Sequence, residues 1–200
     1  MAVPGKVIVF VLALGCAVAG YTFAASDPKE AAPKAISSRI LKTAASELVL
    51  VQEAVLEAPV ARVWHAYSTQ EGWEAWAAKK AKVDLRVDGK ILTRYDDGEI
   101  GAPGTNTLHI LGYVPEELLT LRAELSSNWP EVLQKDADKL SNTIVFDALS
   151  ETRTRVRSYG IGYSDSEELS ALMKYFISAN EGLLAKLKVY VEKPPATTGK

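Results

Sequence analysis

Between Leu169 and Val191 apolar side chains recur at Leu169, Leu172, Met173, Phe176, Ile177, Leu183, Leu184 and Leu187. That is helical spacing, and it puts one continuous stripe on one face over about five turns. Ser164 with Glu167, or Asp165 with Glu168, has the spacing of a capping box at the start. Pro194-Pro195 ends the run, because proline cannot continue a helix. At 1.5 Å per residue the helix is roughly 35–40 Å long. A stripe of that length needs a broad apolar layer to lie on, and the rest of the chain supplies strands.

Glu47 to Leu56 is rich in Val and Leu and reads as a strand that stops at Ala58-Pro59. Pro59 suits the first turn of a helix whose apolar face is Val60, Val63, Trp64 and Tyr67. Gln70 to Trp76 reads as a second short helix carrying Trp73 and Trp76. From Lys80 the period changes to two, which marks strands. Val83 to Val87 and Ile91 to Tyr95 are expected to form a hairpin through Asp88-Gly89. Asp96 to Asn106 is a glycine-rich loop. Thr107 to Val114 and Leu118 to Leu125 follow as strands joined at Pro115-Glu116. Ser126 to Ser141 interrupts the sheet, with a short helix expected within Glu131 to Leu140. Thr143 to Leu149 and Thr152 to Tyr159 close the series, and Gly160 and Gly162 loosen the exit into the long helix. Strands in a run with segregated helices argue an α+β fold with an antiparallel sheet of about six to seven strands.

The first 25 residues have a different character. Lys6 is their only charge, Val7 to Leu14 is apolar, and small residues precede Ala25. This is the pattern of a signal peptide cut near Thr22-Phe23-Ala24 or Ala17-Val18-Ala19. The uncharged run also has the length of a membrane anchor, and Leu14-Gly15-Cys16 is a weak lipidation match. Each alternative leaves the folded domain periplasmic or secreted, or anchored in the membrane with the domain outside the cytoplasm. Residues 26–46, mixed in Pro, Ala, Lys and Ser, read as a linker with a helical turn near Ile40. The domain is expected at 47–193, with a flexible tail at 194–200. Cys16 is the only cysteine, so the domain has no disulfide, no thiol nucleophile and no cysteine-ligated metal. A net charge of −2 gives no basis for nucleic-acid binding. Membrane attachment is expected through residues 1–25 alone.

Several motifs occur together in a familiar order. Leu56-Glu57-Ala58-Pro59 followed by Val63-Trp64 resembles the opening of the START-like, SRPBCC superfamily. Trp73 and Trp76 are similar to its tryptophan-bearing short helix. Asp84-Leu85-Arg86-Val87-Asp88-Gly89-Lys90 is similar to the next hairpin, with Asp88-Gly89 where the family usually has Gly-Gly. Gly112-Tyr113-Val114, Leu118-Leu119-Thr120-Leu121 and Thr152-Arg153-Thr154-Arg155-Val156 resemble later strands. The similarity covers about Leu48 to Val191 and points to the branch of heat-shock ATPase activators or polyketide cyclases. It implies a helix-grip fold, in which a curved sheet wraps the C-terminal helix around an apolar cavity. Members bind lipids, sterols, polyketides or hormones, and a few catalyse, so function must be argued from the site.

Alternation proposes the inward side chains. They are Leu108, Ile110 and Val114; Leu119, Leu121, Ala123 and Leu125; Ile144, Phe146 and Ala148; and Ile91, Thr93 and Tyr95. This wall is apolar with few polar handles, which suits an apolar ligand or a filled core. The candidate ligand residues are Ile110, Leu121 and Phe146 as floor, Met173 and Phe176 as roof, Tyr95 as an inward polar group on the earlier hairpin, and Trp129 as a lid in the long insertion. Trp73 and Trp76 either gate a cavity mouth or pack the short helix onto the sheet. His65 and His109 lack the neighbours of a catalytic triad or a zinc site, so neither catalytic nor metal residues are assigned. Arg153, Arg155 and Arg157 share one strand face, either as a partner patch or as a solvent face with Asp147, Arg122 and Glu124 as neighbours. The leading expectation is an extracytoplasmic protein that binds a small apolar molecule without catalysis and without a cofactor. The alternatives are a cyclase, dehydratase or hydrolase using the same cavity through Tyr95, Thr93 or Thr154, and a protein-interaction module whose protein partner the sequence does not name.

Overall fold

The computed structural model describes residues 35–127 and 129–194. The expected signal segment 1–25 and the tail beyond Pro194 lie outside these residues. Eight strands build one antiparallel sheet: β1 Ile36–Lys42, β2 Glu47–Leu56, β3 Lys80–Val83, β4 Lys90–Arg94, β5 Asn106–Val114, β6 Leu118–Ala123, β7 Ser141–Ser150 and β8 Arg153–Ser164. Their order is β1-β2-β8-β7-β6-β5-β4-β3. The strands from β3 to β8 form a meander, and the β1-β2 hairpin adds beside β8. The chain must therefore cross the sheet between β2 and β3. Helices α1 Val60–Ser68 and α2 Gln70–Trp76 make that crossing. The long helix α4 Glu167–Glu192 packs against β1, β2, α1 and α2, and α3 Glu131–Gln134 is a single turn in the insertion between β6 and β7.

The α+β class, the two short helices and the long terminal helix are as the sequence indicates. Other expectations need correction. Ile36–Lys42, read as linker, is the edge strand β1 and pairs with β2 from Ile36↔Ala54 to Lys42↔Leu48. It brings the sheet to eight strands. The expected capping box is absent: Ser166 is the N-cap of α4, and its side chain makes no cap hydrogen bond. The Asp88-Gly89 hairpin is wider than expected, because β3 ends at Val83 and β4 begins at Lys90. Asp88 adopts a left-handed φ of 62°, and its N–H donates to the Ile110 carbonyl, so the turn is held against β5.

Two glycines permit close approaches. A Cβ at Gly72 would lie 2.3 Å from the His65 carbonyl oxygen, so glycine lets α2 abut α1. Gly162, at φ +93°, lets β8 pass under the end of the insertion; a Cβ there would lie 2.1 Å from the Lys139 carbonyl oxygen.

Side chains on β7 and β8 alternate between buried and half-buried. The buried set faces the helices, and the other set carries Arg155 and Arg157. Both arginines donate to Asp147, with Nε–Oδ2 distances of 3.0 Å, and Arg153 pairs with Glu57 at 3.0 Å. Burial raises the Asp147 pKa, but the hydrogen bonds from Arg157 and Arg155 outweigh it and hold the carboxyl below its usual range. The alternating arginines are thus engaged within the sheet face. A register shift between Ile110 and Gly112 interrupts the inward alternation on β5. Val114, expected to face inward, is accordingly 43% exposed. Ala148 also lies exposed, beside the bulge at the β7–β8 turn.

The loop between β4 and β5 is organised by one buried residue. Arg94 pairs with Asp96 through Nε and Nη2, and its Nη1 donates to the carbonyls of Glu99, Ala102 and Pro103. The Arg94 hydrogen bond and the Gly98 N–H lower the Asp96 pKa to about 2. A depressed folded pKa gives stabilisation that is complete above the ordinary carboxylate value of about 3.9 and lost as pH falls through the folded value. The loop amides of 98–105 should therefore keep their protection factors, measured against the intrinsic exchange rate, at pH 4 and lose them progressively toward about pH 2. Arg94→Ala should expose the same amides at neutral pH. Equal protection in wild type and variant would show that other contacts hold the loop.

Candidate functional site

The interior beneath α4 consists of two apolar clusters. The larger joins Ile110, Leu121, Ile144, Phe146 and Val156 of the sheet to Val63, Tyr67, Trp73 and Trp76 of the short helices and to Leu183, Leu184 and Leu187 of α4. Its rings interlock edge to face: Trp64 to Phe146 at 5.5 Å, Tyr67 to Phe146 at 5.3 Å and Tyr67 to Trp76 at 5.1 Å. The smaller cluster joins Leu48, Leu140 and Tyr163 of the sheet end to Leu133 of the insertion and to Leu169, Met173 and Phe176 of α4. Trp129 packs over this second cluster with its ring 6.0 Å from that of Phe176.

The expected floor and roof thus fall in different clusters. Ile110, Leu121 and Phe146 belong to the larger cluster, and Met173 and Phe176 to the smaller. The reason is the lie of α4. Its N-terminal half covers Leu48, Leu140 and Tyr163, whereas its C-terminal half covers the sheet centre. Tyr95 belongs to neither cluster and lines an open cleft of about 300 Å³ at the edge of the larger one, with Glu74, Trp76, Lys79 and Lys186. Burial raises its phenol pKa, against a smaller opposing effect of the Thr93 hydroxyl.

Between the clusters runs a polar seam that sequence reasoning missed. On β2, Gln52 lies between Leu48 and Ala54. On β7, Asn142 lies between Leu140 and Ile144. On β8, Ser158 lies between Val156 and Tyr163. On α4, Asn180 lies between Phe176 and Leu183. All four polar residues are buried, and the neighbours named belong to opposite clusters. Gln52 and Ser158 are paired across β2 and β8, and Ser158 Oγ donates to Asn142 Oδ1 at 2.9 Å. Asn180 Nδ2 donates to Gln52 Oε1 at 2.9 Å, Gln52 Nε2 to Ser38 Oγ at 3.1 Å, and Ser38 Oγ to Glu181 Oε1 at 2.6 Å. Among the described residues five buried side-chain polar atoms lack a partner, and two of them lie here: Asn180 Oδ1 in the seam and Tyr163 Oη in the smaller cluster; the others are Arg62 Nε, Arg122 Nε and Ser166 Oγ. Burial raises the Tyr163 pKa, so its hydroxyl is neutral. The signal was present in the sequence. Each of these four positions is a polar residue at the inward parity of a strand or on the buried stripe of the helix.

The remaining candidates resolve as follows. Trp73 and Trp76 are buried, and their indole N–H groups donate to the Tyr67 and Ala66 carbonyls at 2.7 and 2.8 Å. They pack the short helices together. Thr154 donates to the Ala58 carbonyl at 2.8 Å, which engages it as a latch between β8 and the α1 entry. His65 is exposed, and His109 pairs with Glu124 at 3.0 Å, so neither histidine is directed into the interior. Among the described residues, no group of three His, Cys, Asp or Glu side chains could hold a metal ion.

Residues 57–192 match the family described as activator of Hsp90 ATPase homolog 1-like protein. Solved structures share the fold. A conserved protein of unknown function from Enterococcus faecalis superposes with a TM-score of 0.57 at 15% identity, covering 82% of this chain and 81% of that one. The Aha1 dimer from Colwellia psychrerythraea gives 0.53 at 14% identity, with 76% and 98% covered. An AHSA1-like protein from Aeromonas hydrophila gives 0.53 at 19% identity, with 72% and 92% covered. At these identities the likeness is one of fold. No curated protein matches the chain in sequence.

Proposed function

The chain belongs to the activator of Hsp90 ATPase homolog 1-like family, within the SRPBCC superfamily, and from that membership we propose that it binds a small, mainly apolar molecule between the sheet and α4. The observation that carries this reading is that two buried, unpartnered polar atoms lie beneath α4, Asn180 Oδ1 in the seam and Tyr163 Oη in the smaller apolar cluster. A buried polar group without a partner costs about 1–3 kcal/mol, and a ligand group that bonds to it removes the penalty. The ligand contacts Met173 and Phe176 from the α4 side, with Trp129 as a lid. Leu121, directly paired with Asn142 across β6 and β7, borders the seam from the larger cluster, with Ile110 and Phe146 behind it. The seam groups are amides and hydroxyls, which do not titrate near neutrality. They suit holding a ligand in place more than exchanging protons with it. The domain is proposed to act outside the cytoplasm, on the strength of the uncharged run that follows Lys6.

Neutral N-phenyl-1-naphthylamine should gain fluorescence on binding and raise the melting temperature, because a ligand of the native state alone stabilises it by mass action. Leu121→Trp should abolish that binding with little loss of stability. No probe binding by wild type, together with a cost of ~1–3 kcal/mol or more for Leu121→Trp, would identify a filled core. Native mass spectrometry of protein from its own host should give a chain beginning near Ala25 or Ser26. A mass that includes Met1 would count against cleavage.

A further inference from the structure

We infer that the ligand is a neutral amphiphile that presents a hydrogen-bond donor, a hydroxyl or an amide N–H, to Asn180 Oδ1. This inference rests on the ligand-binding reading above and specifies its chemistry. The polarity of the seam is set from its rim. As a carboxylate, Glu181 can only accept, so the single Ser38 hydroxyl proton goes to it, at 2.6 Å. Ser38 Oγ must then accept from Gln52, which it does from Nε2 at 3.1 Å. That leaves Gln52 Oε1 turned inward, where it takes the Asn180 Nδ2 proton at 2.9 Å. Asn180 is thereby committed to present Oδ1, the atom that is buried and unpartnered. The orientation of the two amides, often ambiguous, is here dictated by the one charged acceptor at the end of this four-group hydrogen-bond chain.

The surroundings exclude a charged headgroup. The polar groups of the seam are Gln52, Asn142, Ser158 and Asn180, all neutral, and the only buried charged residue among those described, Arg94, is spent on the Asp96 loop. A carboxylate brought to Asn180 Oδ1 would meet another acceptor with no cation to offset its burial. A hydroxyl meets an acceptor that needs it. Tyr163 Oη, neutral and able to donate or accept, tolerates either polarity further along the apolar cluster.

The test measures displacement of N-phenyl-1-naphthylamine by 1-dodecanol, by methyl dodecyl ether and by dodecanoate at neutral pH. Wild type should prefer the alcohol over the ether by about five- to tenfold, the worth of one hydrogen bond to a buried acceptor, and dodecanoate should be weaker than the alcohol. Asn180→Leu should remove the preference. Glu181→Lys, at the half-buried rim, carries the decisive outcome should Asn180→Leu fail to fold. A lysine there can only donate to Ser38, so the chain reverses and Asn180 presents Nδ2. The ether should then gain and the alcohol-to-ether ratio fall toward one. Equal binding of alcohol and ether by wild type, dodecanoate binding as tight as the alcohol, or a preference that survives Glu181→Lys would each overturn the inference while leaving ligand binding intact. If the probe itself does not bind wild type, the ligand-binding reading falls, and the inference falls with it.

Discussion

Trp73→Ala is expected to lower stability by about 3–5 kcal/mol, the range for removing a large aromatic side chain from a core. The loss has two parts. Trp73 is 1% exposed, and its ring packs against Trp76 at 5.7 Å and against Tyr67 at 6.4 Å. Its indole N–H also donates to the Tyr67 carbonyl at 2.7 Å. Tyr67 lies in the last turn of α1, where carbonyls have no partner within the helix. With Trp76 on Ala66, α2 thus caps the end of α1 with two indole donors, and Gly72 allows the approach. Trp73→Phe separates the contributions by keeping most of the ring area and losing the donor. It should cost about 1–3 kcal/mol, as a buried acceptor left without its donor does. Urea denaturation midpoints at constant slope give both values. A cost under about 1 kcal/mol for the alanine variant would mean that the short helices are not packed as described.

Phe176→Ala should cost on the order of 3–5 kcal/mol as well. Phe176 is buried in the smaller cluster, between Trp129 of the insertion and the sheet end. The suitable control is Lys174→Ala, exposed on the same helix, at about 0.5 kcal/mol or less. Lys188 also lies off the stripe, but its Nζ donates to the Val55 carbonyl and to Glu192, so it ties α4 to β2. Matching denaturation midpoints for the Phe176 and Lys174 variants would place the wrong face of α4 against the sheet. A bound ligand adds a second signature. The melting-temperature gain from the apolar probe should disappear in Phe176→Ala, whose wall is missing, and persist in Lys174→Ala.

The sequence by itself determined those features that depend on local periodicity. The stripe from Leu169 to Val191 and its stop at Pro194 specify α4, because an amphipathic helix declares itself through neighbours three and four residues apart. Pro59 and the Trp73–Trp76 spacing likewise specify α1 and α2. The inward parity of Leu108, Ile110, Leu119, Leu121, Ile144 and Phe146 was legible for the same reason, and all six are buried. Tertiary structure decided what depends on partners distant in sequence. Ile36–Lys42, with its serines and its basic residues, becomes a strand only because β2 offers it a ladder. Val114 turns outward because a bulge on β5, invisible in the alternation, shifts the register. Above all, the polar seam exists only once β1, β2, β7, β8 and α4 are brought together. Gln52, Asn142, Ser158 and Asn180 each look like a single polar interruption in an apolar row. Their meaning lies in the contacts across 128 residues that join Asn180 to Gln52 and across 143 that join Glu181 to Ser38. Sequence periodicity reports which face a side chain takes, whereas the pairing of buried donors and acceptors depends on which faces meet.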